Sequence, residues 1–109
     1  MKVSKVLINA KSLIEDPIRW TQGAHARNSV NKPTGSISVT AICFCSLGAL
    51  NRTLAKEGLG GDIFLEAELL LGGAMGYDVA GFNDSATHSE VMEAWDFAIK
   101  LALEKEGEV

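Results

Sequence analysis

The sequence predicts a mainly α-helical fold in a single compact domain, residues 1–109, with about four helices. Three observations support this prediction. The length is typical of one domain. Hydrophobic residues make up 47% of the chain and charged residues 22%, as in an average globular protein. Apolar residues also recur at helical spacing in several segments, and no stretch has the composition of a linker to a second domain.

The first predicted helix covers residues 3–16. An apolar residue recurs at every third or fourth position from Val3 to Ile14, which places these side chains on one helix face. Pro17 is expected to end the helix, because a proline disfavours the helical conformation of the residue before it. Residues 28–36 are rich in Asn, Ser, Pro and Gly and predict an exposed loop.

The segment 37–45 admits two interpretations. Polar and apolar residues alternate in it and β-branched residues are frequent, which is typical of a short strand. The helical pattern of residues 46–56 can instead extend back as far as Val39 and include most of the segment. Both interpretations stay open, and the first adds a short strand or hairpin at 37–44 and 78–82 to the helical fold.

Two further helices are predicted in the second half of the chain. One begins with Asp62 as its N-cap and ends near Leu71, where glycines follow. The last helix covers residues 88–105. Thr87 and Glu90 have the spacing of a capping box, in which the hydroxyl and the carboxylate each accept a hydrogen bond from the other residue's backbone N–H.

Charge and composition exclude several classes of protein. The net charge of −4 and the isoelectric point near 5.1 argue against a broad basic surface for binding a nucleic-acid backbone. No apolar run approaches the roughly 20 residues that span a bilayer, and the first residues do not resemble a signal peptide. Cys43 and Cys45 are too close in sequence for an unstrained disulfide. We therefore expect a cytoplasmic protein that binds neither nucleic acid nor membrane; its oligomeric state is left open.

Cys45 and His88 are the candidate catalytic residues. Cys45 lies where a helix is predicted to begin, and a helix N-terminus lowers the pKa of a thiol. His88 would then act as the base, oriented by Asn83 or Asp84. This arrangement predicts, as an alternative function, a small hydrolase or transferase. The set is not specific, because any short chain with two histidines offers a similar one.

A structural zinc site is the third hypothesis. Cys43 and Cys45 with His25 and His88 would supply two thiolates and two imidazoles. However, the usual zinc motifs have two to four residues between paired cysteines, and these two are separated by one residue. Free cysteines in this position are more typical of a hydrophobic core. We therefore predict no metal site and no cofactor.

The leading hypothesis is a binding surface. Trp20 can stack on a ligand and Arg27 can hold an anion with two parallel hydrogen bonds. Asn83 and Asp84 are typical of a turn before a helix, where they would present an amide and a carboxylate. The predicted surface recognises a small polar or anionic ligand or a protein partner, and it consists of Trp20, Gln22, Arg27, Asn83, Asp84 and His88.

Three short segments, spread in order along nearly the whole chain, form a recognisable combination. They are Trp20-Thr21-Gln22-Gly23, Cys43-Phe44-Cys45-Ser46-Leu47-Gly48-Ala49-Leu50, and Phe82-Asn83-Asp84 before the last helix. With them, the sequence resembles a family of small bacterial and phage proteins of unassigned function, from which it departs in having Phe44 and Phe82 where tryptophan is common. The resemblance implies one domain of bacterial or phage origin and supplies no activity. We expect a non-catalytic binding or interaction protein, an accessory factor of a phage or mobile element.

Overall fold

A computed structural model describes residues 1–107 of the chain and confirms the predicted mainly α-helical class. The last two residues of the predicted domain, 108 and 109, lie outside the described residues. The elements in chain order are α1 (Val3–Ile14), a short 3-10 helix (Pro17–Arg19), β1 (Ala26–Arg27), β2 (Pro33–Thr34), β3 (Cys43–Phe44), α2 (Ser46–Glu57), α3 (Gly61–Ala74), α4 (Val79–Ser85) and α5 (His88–Gly107).

The hydrophobic core lies among the four longer helices. α1 packs against α2 and α5, and α3 packs against α5. The predicted apolar face of α1 is buried from Val3 to Ile14, and Trp95 of α5 is fully buried at the centre of the core. Burial of these side chains is the main favourable contribution to folding, at about 25 cal/mol per Å² of apolar surface.

A small antiparallel sheet with the strand order β2-β1-β3 packs beside the helices. The strand predicted in 37–44 is therefore confirmed only for its last two residues, Cys43 and Phe44. The preceding residues form turns and a loop, and Val39 is 94% exposed. Alternation of apolar and polar residues failed as a guide there because no neighbouring element covers the β-branched side chains.

The strand or hairpin considered at 78–82 is wrong, because residues 79–85 form α4. Asp78 caps this helix, with its Oδ1 accepting a hydrogen bond from the Gly81 N–H at 3.0 Å. Asn83 and Asp84, predicted to form a turn, are consequently part of a helix.

The predicted limits of the other helices are correct to within a few residues. α3 has Gly60 as its N-cap, so Asp62 lies in the first turn and does not cap it. It also continues through Gly72 and Gly73 to Ala74. One helical glycine costs only about 1 kcal/mol, which the packing of the helix can offset.

The beginnings of α2 and α5 agree with the sequence pattern. α2 starts at Ser46, with Cys45 as its N-cap after β3. The helix therefore does not extend back to Val39, and the strand interpretation of the preceding segment is the correct one. At α5, the predicted capping box is present: the Glu90 N–H donates to Thr87 Oγ1 at 3.2 Å, and the Thr87 N–H donates to Glu90 Oε1 at 2.9 Å. The bond that the Glu90 carboxylate accepts from the Thr87 backbone N–H is the main cause that lowers the pKa of the Glu90 carboxyl.

Within residues 1–107, none of the helices combines the length and the apolar character that crossing a bilayer would require.

Candidate functional site

Asn83 is the centre of a hydrogen-bond network inside the protein. Its side chain is fully buried on α4. Asn83 Oδ1 accepts from Trp20 Nε1 at 2.9 Å, from the Ser46 backbone N–H at 2.9 Å and from Ser46 Oγ at 2.8 Å. Asn83 Nδ2 donates to the Thr21 carbonyl oxygen at 3.0 Å. One amide therefore joins α4 to the start of α2 and to the chain before β1.

The second tryptophan belongs to the same network. Trp95 Nε1 donates to Ser46 Oγ at 3.1 Å, and the Ser46 hydroxyl donates in turn to Asn83. We call Trp20, Ser46, Asn83 and Trp95 the polar network. Among the described residues, every buried side-chain nitrogen and oxygen has a hydrogen-bond partner. A satisfied network of this kind stabilises a single arrangement of a core.

Gln22 and Asp84 fasten the segment after Trp20 to α4. Gln22 Nε2 donates to the carbonyl oxygens of Asn83 and Ala86, both at 3.0 Å. Asp84 Oδ1 accepts from the Gly23 N–H at 3.0 Å. Two residues predicted to bind a ligand therefore also hold two parts of the fold together.

Arg27 and His88 are likewise bonded to the protein itself. The Arg27 guanidinium donates to Thr21 Oγ1 and to the Gln22 carbonyl, both at 3.0 Å, and to the Asn31 carbonyl at 3.2 Å. His88 Nε2 lies 2.7 Å from the Ile14 carbonyl oxygen. Because a carbonyl can only accept, Nε2 carries the proton in this bond.

The six predicted binding residues are brought into one region of the molecule. The His88 ring meets the Trp20 indole edge-on, with ring centroids 5.3 Å apart. Trp20, Gln22, Asn83 and Asp84 are joined by the bonds described above, and Arg27 joins them through the Gln22 carbonyl. That these residues contact a ligand stays a prediction, since much of their hydrogen-bonding capacity is used within the protein.

Cys45 is buried at the N-cap of α2, and its sulfur accepts the Gly48 N–H at 3.3 Å. Burial raises the pKa of the Cys45 thiol, and the nearby Asp84 carboxylate raises it further, against the lowering effect of the Gly48 and Leu47 N–H groups. A thiol that stays protonated is a poor nucleophile. This environment argues against a hydrolase or transferase that uses Cys45.

The cysteines and histidines of the zinc hypothesis do not gather. Cys43 Sγ contacts the Arg27 carbonyl oxygen at 3.9 Å. In residues 1–107, no group of three or more His, Cys, Asp or Glu side chains has an arrangement that could hold a metal ion.

A groove of about 860 Å³ is the feature that the sequence did not indicate. It lies between the chain around β1 and β2 on one side and the end of α2 with the start of α3 on the other. None of its lining residues is Asp, Glu, Lys or Arg. The groove is lined by Gly23, Ala24, His25, Pro33, Thr34, Gly35, Ser36, Ile37, Asn51, Leu54, Ala55, Leu59, Gly60, Gly61 and Phe64. These ordinary loop and helix residues form no recognisable motif.

One wall of the groove rests directly on α2. The Cys45 N–H donates to the His25 carbonyl oxygen at 3.1 Å. A Cβ atom at Gly48 would overlap that same oxygen, so only glycine allows the wall to lie this close to the helix. The groove wall Gly23–His25 is therefore fixed at both ends: His25 contacts the start of α2, and Gly23 is bonded to Asp84 of α4.

The acidic and basic residues are separated along the chain, which the net charge of −4 conceals. From Glu57 to Ile99 there are nine Asp and Glu residues and no Lys or Arg. The 56 residues before this stretch contain eight Lys and Arg and two Asp and Glu. The acidic stretch forms α3, α4 and the first part of α5, and its ion-pair partners come from outside it: Lys11 Nζ lies 2.7 Å from Asp96 Oδ1, and Lys105 pairs with Glu66.

Comparison with known proteins gives a family but no activity. A profile described as "Family of unknown function (DUF6197)" matches residues 1–101, which is nearly the whole chain. Neither the curated proteins nor the solved structures contain a match. The chain therefore belongs to the DUF6197 family, whose function is unknown.

Proposed function

We propose that this protein is a small non-catalytic binding protein and that its ligand occupies the groove between the β1–β2 region and the α2–α3 junction. The observation that carries the proposal is the groove itself, about 860 Å³ in volume and lined without a formally charged residue. Sites for small molecules in proteins have volumes of about 300–1,000 Å³, mostly apolar walls and a few polar groups.

The lining indicates the class of ligand. Leu54 and Phe64 supply apolar contact surface, while Asn51 and Thr34 offer hydrogen bonds. His25 and the N-terminus of α3 at Gly60 and Gly61 are the lining groups that would favour an anion. A charged ligand would nevertheless find no Asp, Glu, Lys or Arg in the lining to pair with, and burying an unpaired charge is costly. We therefore narrow the small polar or anionic ligand predicted from the sequence to an uncharged molecule with a few hydrogen-bonding groups.

The hydrogen bonds of Gln22 and Asp84 support this function indirectly. They fix Gln22 and Gly23 to α4, at the start of the chain Gly23–His25 that forms a wall of the groove. In this proposal the conspicuous residues position the wall, and the groove contacts the ligand. The resemblance described above adds the proposals of a bacterial or phage origin and a role as an accessory factor. The composition and the spacing of the cysteines add the proposal of a cytoplasmic location.

Ligand-observed NMR with three fragment sets tests the proposal. The sets are uncharged, anionic and cationic molecules of matched size, and each is presented to the wild type and to Ala55→Glu. Ala55 is exposed at the groove and lies on α2, so a glutamate there keeps the helix and adds a charge to the lining. Ala80→Glu, an exposed helical alanine outside the groove, is the matched control.

We expect fragments of the uncharged set to bind the wild type and Ala80→Glu and to lose binding to Ala55→Glu. A predominance of anionic fragments would restore the anionic ligand predicted from the sequence. Absence of binding in all three sets, or binding that Ala55→Glu leaves unchanged, would show that the groove is not the site.

A further inference from the structure

α3 presents an apolar face to solvent that its own fold leaves uncovered. Leu65 and Leu69, one turn apart, are 57% and 67% exposed. The opposite side of the helix packs in the core through Ala67 and Leu71. A helix that is apolar on two sides is typically buried on both. The protein's own core covers one side of α3, and no described residue covers the side with Leu65 and Leu69.

Tyr77 extends this face beyond the end of α3. It is 81% exposed, and its φ of 63° lies in the left-handed region that non-glycine residues rarely adopt. Its ring packs along Gly72, where a Cβ atom would lie 3.4 Å from Tyr77 Cδ1. A large aromatic side chain is thus kept on the surface at a position where glycine would be easier to accommodate.

A hollow of about 420 Å³ lies between Leu69 and Tyr77 and joins these two residues into one surface. Leu69 and Tyr77 line it together with Glu68 and Asp78. Leu65, one turn before Leu69, lies outside the hollow and extends the apolar surface along α3. We call Leu65, Leu69, Tyr77 and the hollow the α3 surface. It has an apolar centre large enough to receive a side chain and carboxylates at its edge.

The charges around the α3 surface decide what covers it. Asp62 and Glu66 are exposed on the same helix, and the stretch from Glu57 to Ile99 has no Lys or Arg. Glu66 has basic neighbours from other elements: Lys105 Nζ lies 3.8 Å from Glu66 Oε1, and Lys2 lines the same small hollow as Glu66. The carboxylates of Asp62, Glu68 and Asp78 form no ion pair among the described residues. Opposite charges around an apolar centre steer association and select the partner.

We propose that the α3 surface binds an amphipathic helical segment of another protein, with apolar residues on one face and Lys or Arg beside them. This is a different site from the groove and does not depend on it. A second copy of this chain fits less well. In a two-fold dimer the same surface faces itself, which would bring carboxylates against carboxylates.

Selection from a random 15-residue peptide library displayed on phage tests this proposal, with the intact protein as bait. We expect the enriched peptides to have apolar residues at helical spacing flanked by Lys or Arg. Affinities of the synthetic peptides are then measured by fluorescence polarisation. Leu69→Ser and Tyr77→Gly should each weaken binding about tenfold or more, and added salt should weaken it further.

Val39→Ser is the matched control, because Val39 is an exposed apolar residue in the basic half of the chain and should not affect binding. Enriched peptides without basic residues would overturn the proposal, as would affinities that Leu69→Ser and Tyr77→Gly leave unchanged. Light scattering supplies the other decisive outcome. A dimer of the purified protein that Leu69→Ser dissociates would mean that a second copy covers the surface, contrary to the proposal.

Discussion

The polar network and the groove both include residues of the segment from Trp20 to His25, but they differ in the role of their side chains. The network collects two tryptophans, an asparagine and a serine and bonds their polar atoms to one another in the interior. The groove is open and lined by residues that no motif marks. A buried polar group must find a partner in the fold, so a conspicuous set of polar and aromatic residues can serve folding as readily as recognition.

The largest effect is expected for Asn83→Ala, which breaks the network. The change leaves the Trp20 indole N–H and two donors of Ser46 without their acceptor. Each buried unsatisfied group costs about 1–3 kcal/mol, so we expect the free energy of unfolding to fall by about 3 kcal/mol or more. Urea denaturation measures the loss.

Gln22→Ala is the control for this experiment. Its side chain is exposed, so we expect that removing it opens the two carbonyl oxygens it bonds to water, and the loss should stay near 1 kcal/mol or below. If Asn83→Ala cost no more than Gln22→Ala, Asn83 would not be essential to the fold, and its role as a ligand-binding residue would gain support.

A smaller change in stability is expected where the groove wall contacts α2, and there the sign of the change is informative. Gly48→Ala puts a Cβ atom into the His25 carbonyl oxygen, and such overpacking costs about 1–3 kcal/mol. Gly73→Ala, also in a helix but with no atom within 4 Å of the added Cβ, should stabilise the protein by about 0.5–1 kcal/mol. Thermal denaturation of both variants gives the comparison. If both variants changed the stability in the same direction, the close contact between the groove wall and α2 would be contradicted.

The smallest effect on stability is expected at Cys45, between network and groove. Its pKa is raised in the folded state, so the stability that the neutral thiol contributes is present below about pH 8.5, the pKa of an unfolded cysteine. That contribution is lost as the pH rises through the higher pKa of the folded state.

Iodoacetamide labelling of a Cys43→Ser variant reports Cys45 alone. At pH 8 we expect the native protein to react at least about tenfold more slowly than the same chain in urea, because the buried thiol stays protonated. Equal rates in the two conditions would mean an accessible thiolate and would revive the hydrolase hypothesis.

The parts of the fold that the sequence predicts well depend on residues close together in the chain. The bonds between Thr87 and Glu90 are complete within one helical turn, and α5 begins where they place it. α4 was missed because it is a seven-residue helix containing Gly81 and Asn83, which are weak helix formers. Its position depends on Ser46 and Trp20, which are distant in sequence.

The candidate site shows the same division. Residue chemistry selected Trp20, Gln22, Asn83 and Asp84 correctly as neighbours, but it did not reveal that Asn83 is buried. Burial depends on how α4 packs against α2, which no local pattern encodes. The separation of acidic and basic residues is present in the sequence, but the net charge, which sums over the whole chain, does not reveal it.

The network also gives the protein a natural optical probe. The chain has two tryptophans, and the indole N–H of each donates into the network, one to Asn83 and the other to Ser46. Intrinsic emission therefore follows the docking of α2, α4 and α5 on one another. It carries little signal from the groove, whose lining has no tryptophan, so a ligand there will need a label of its own to be seen.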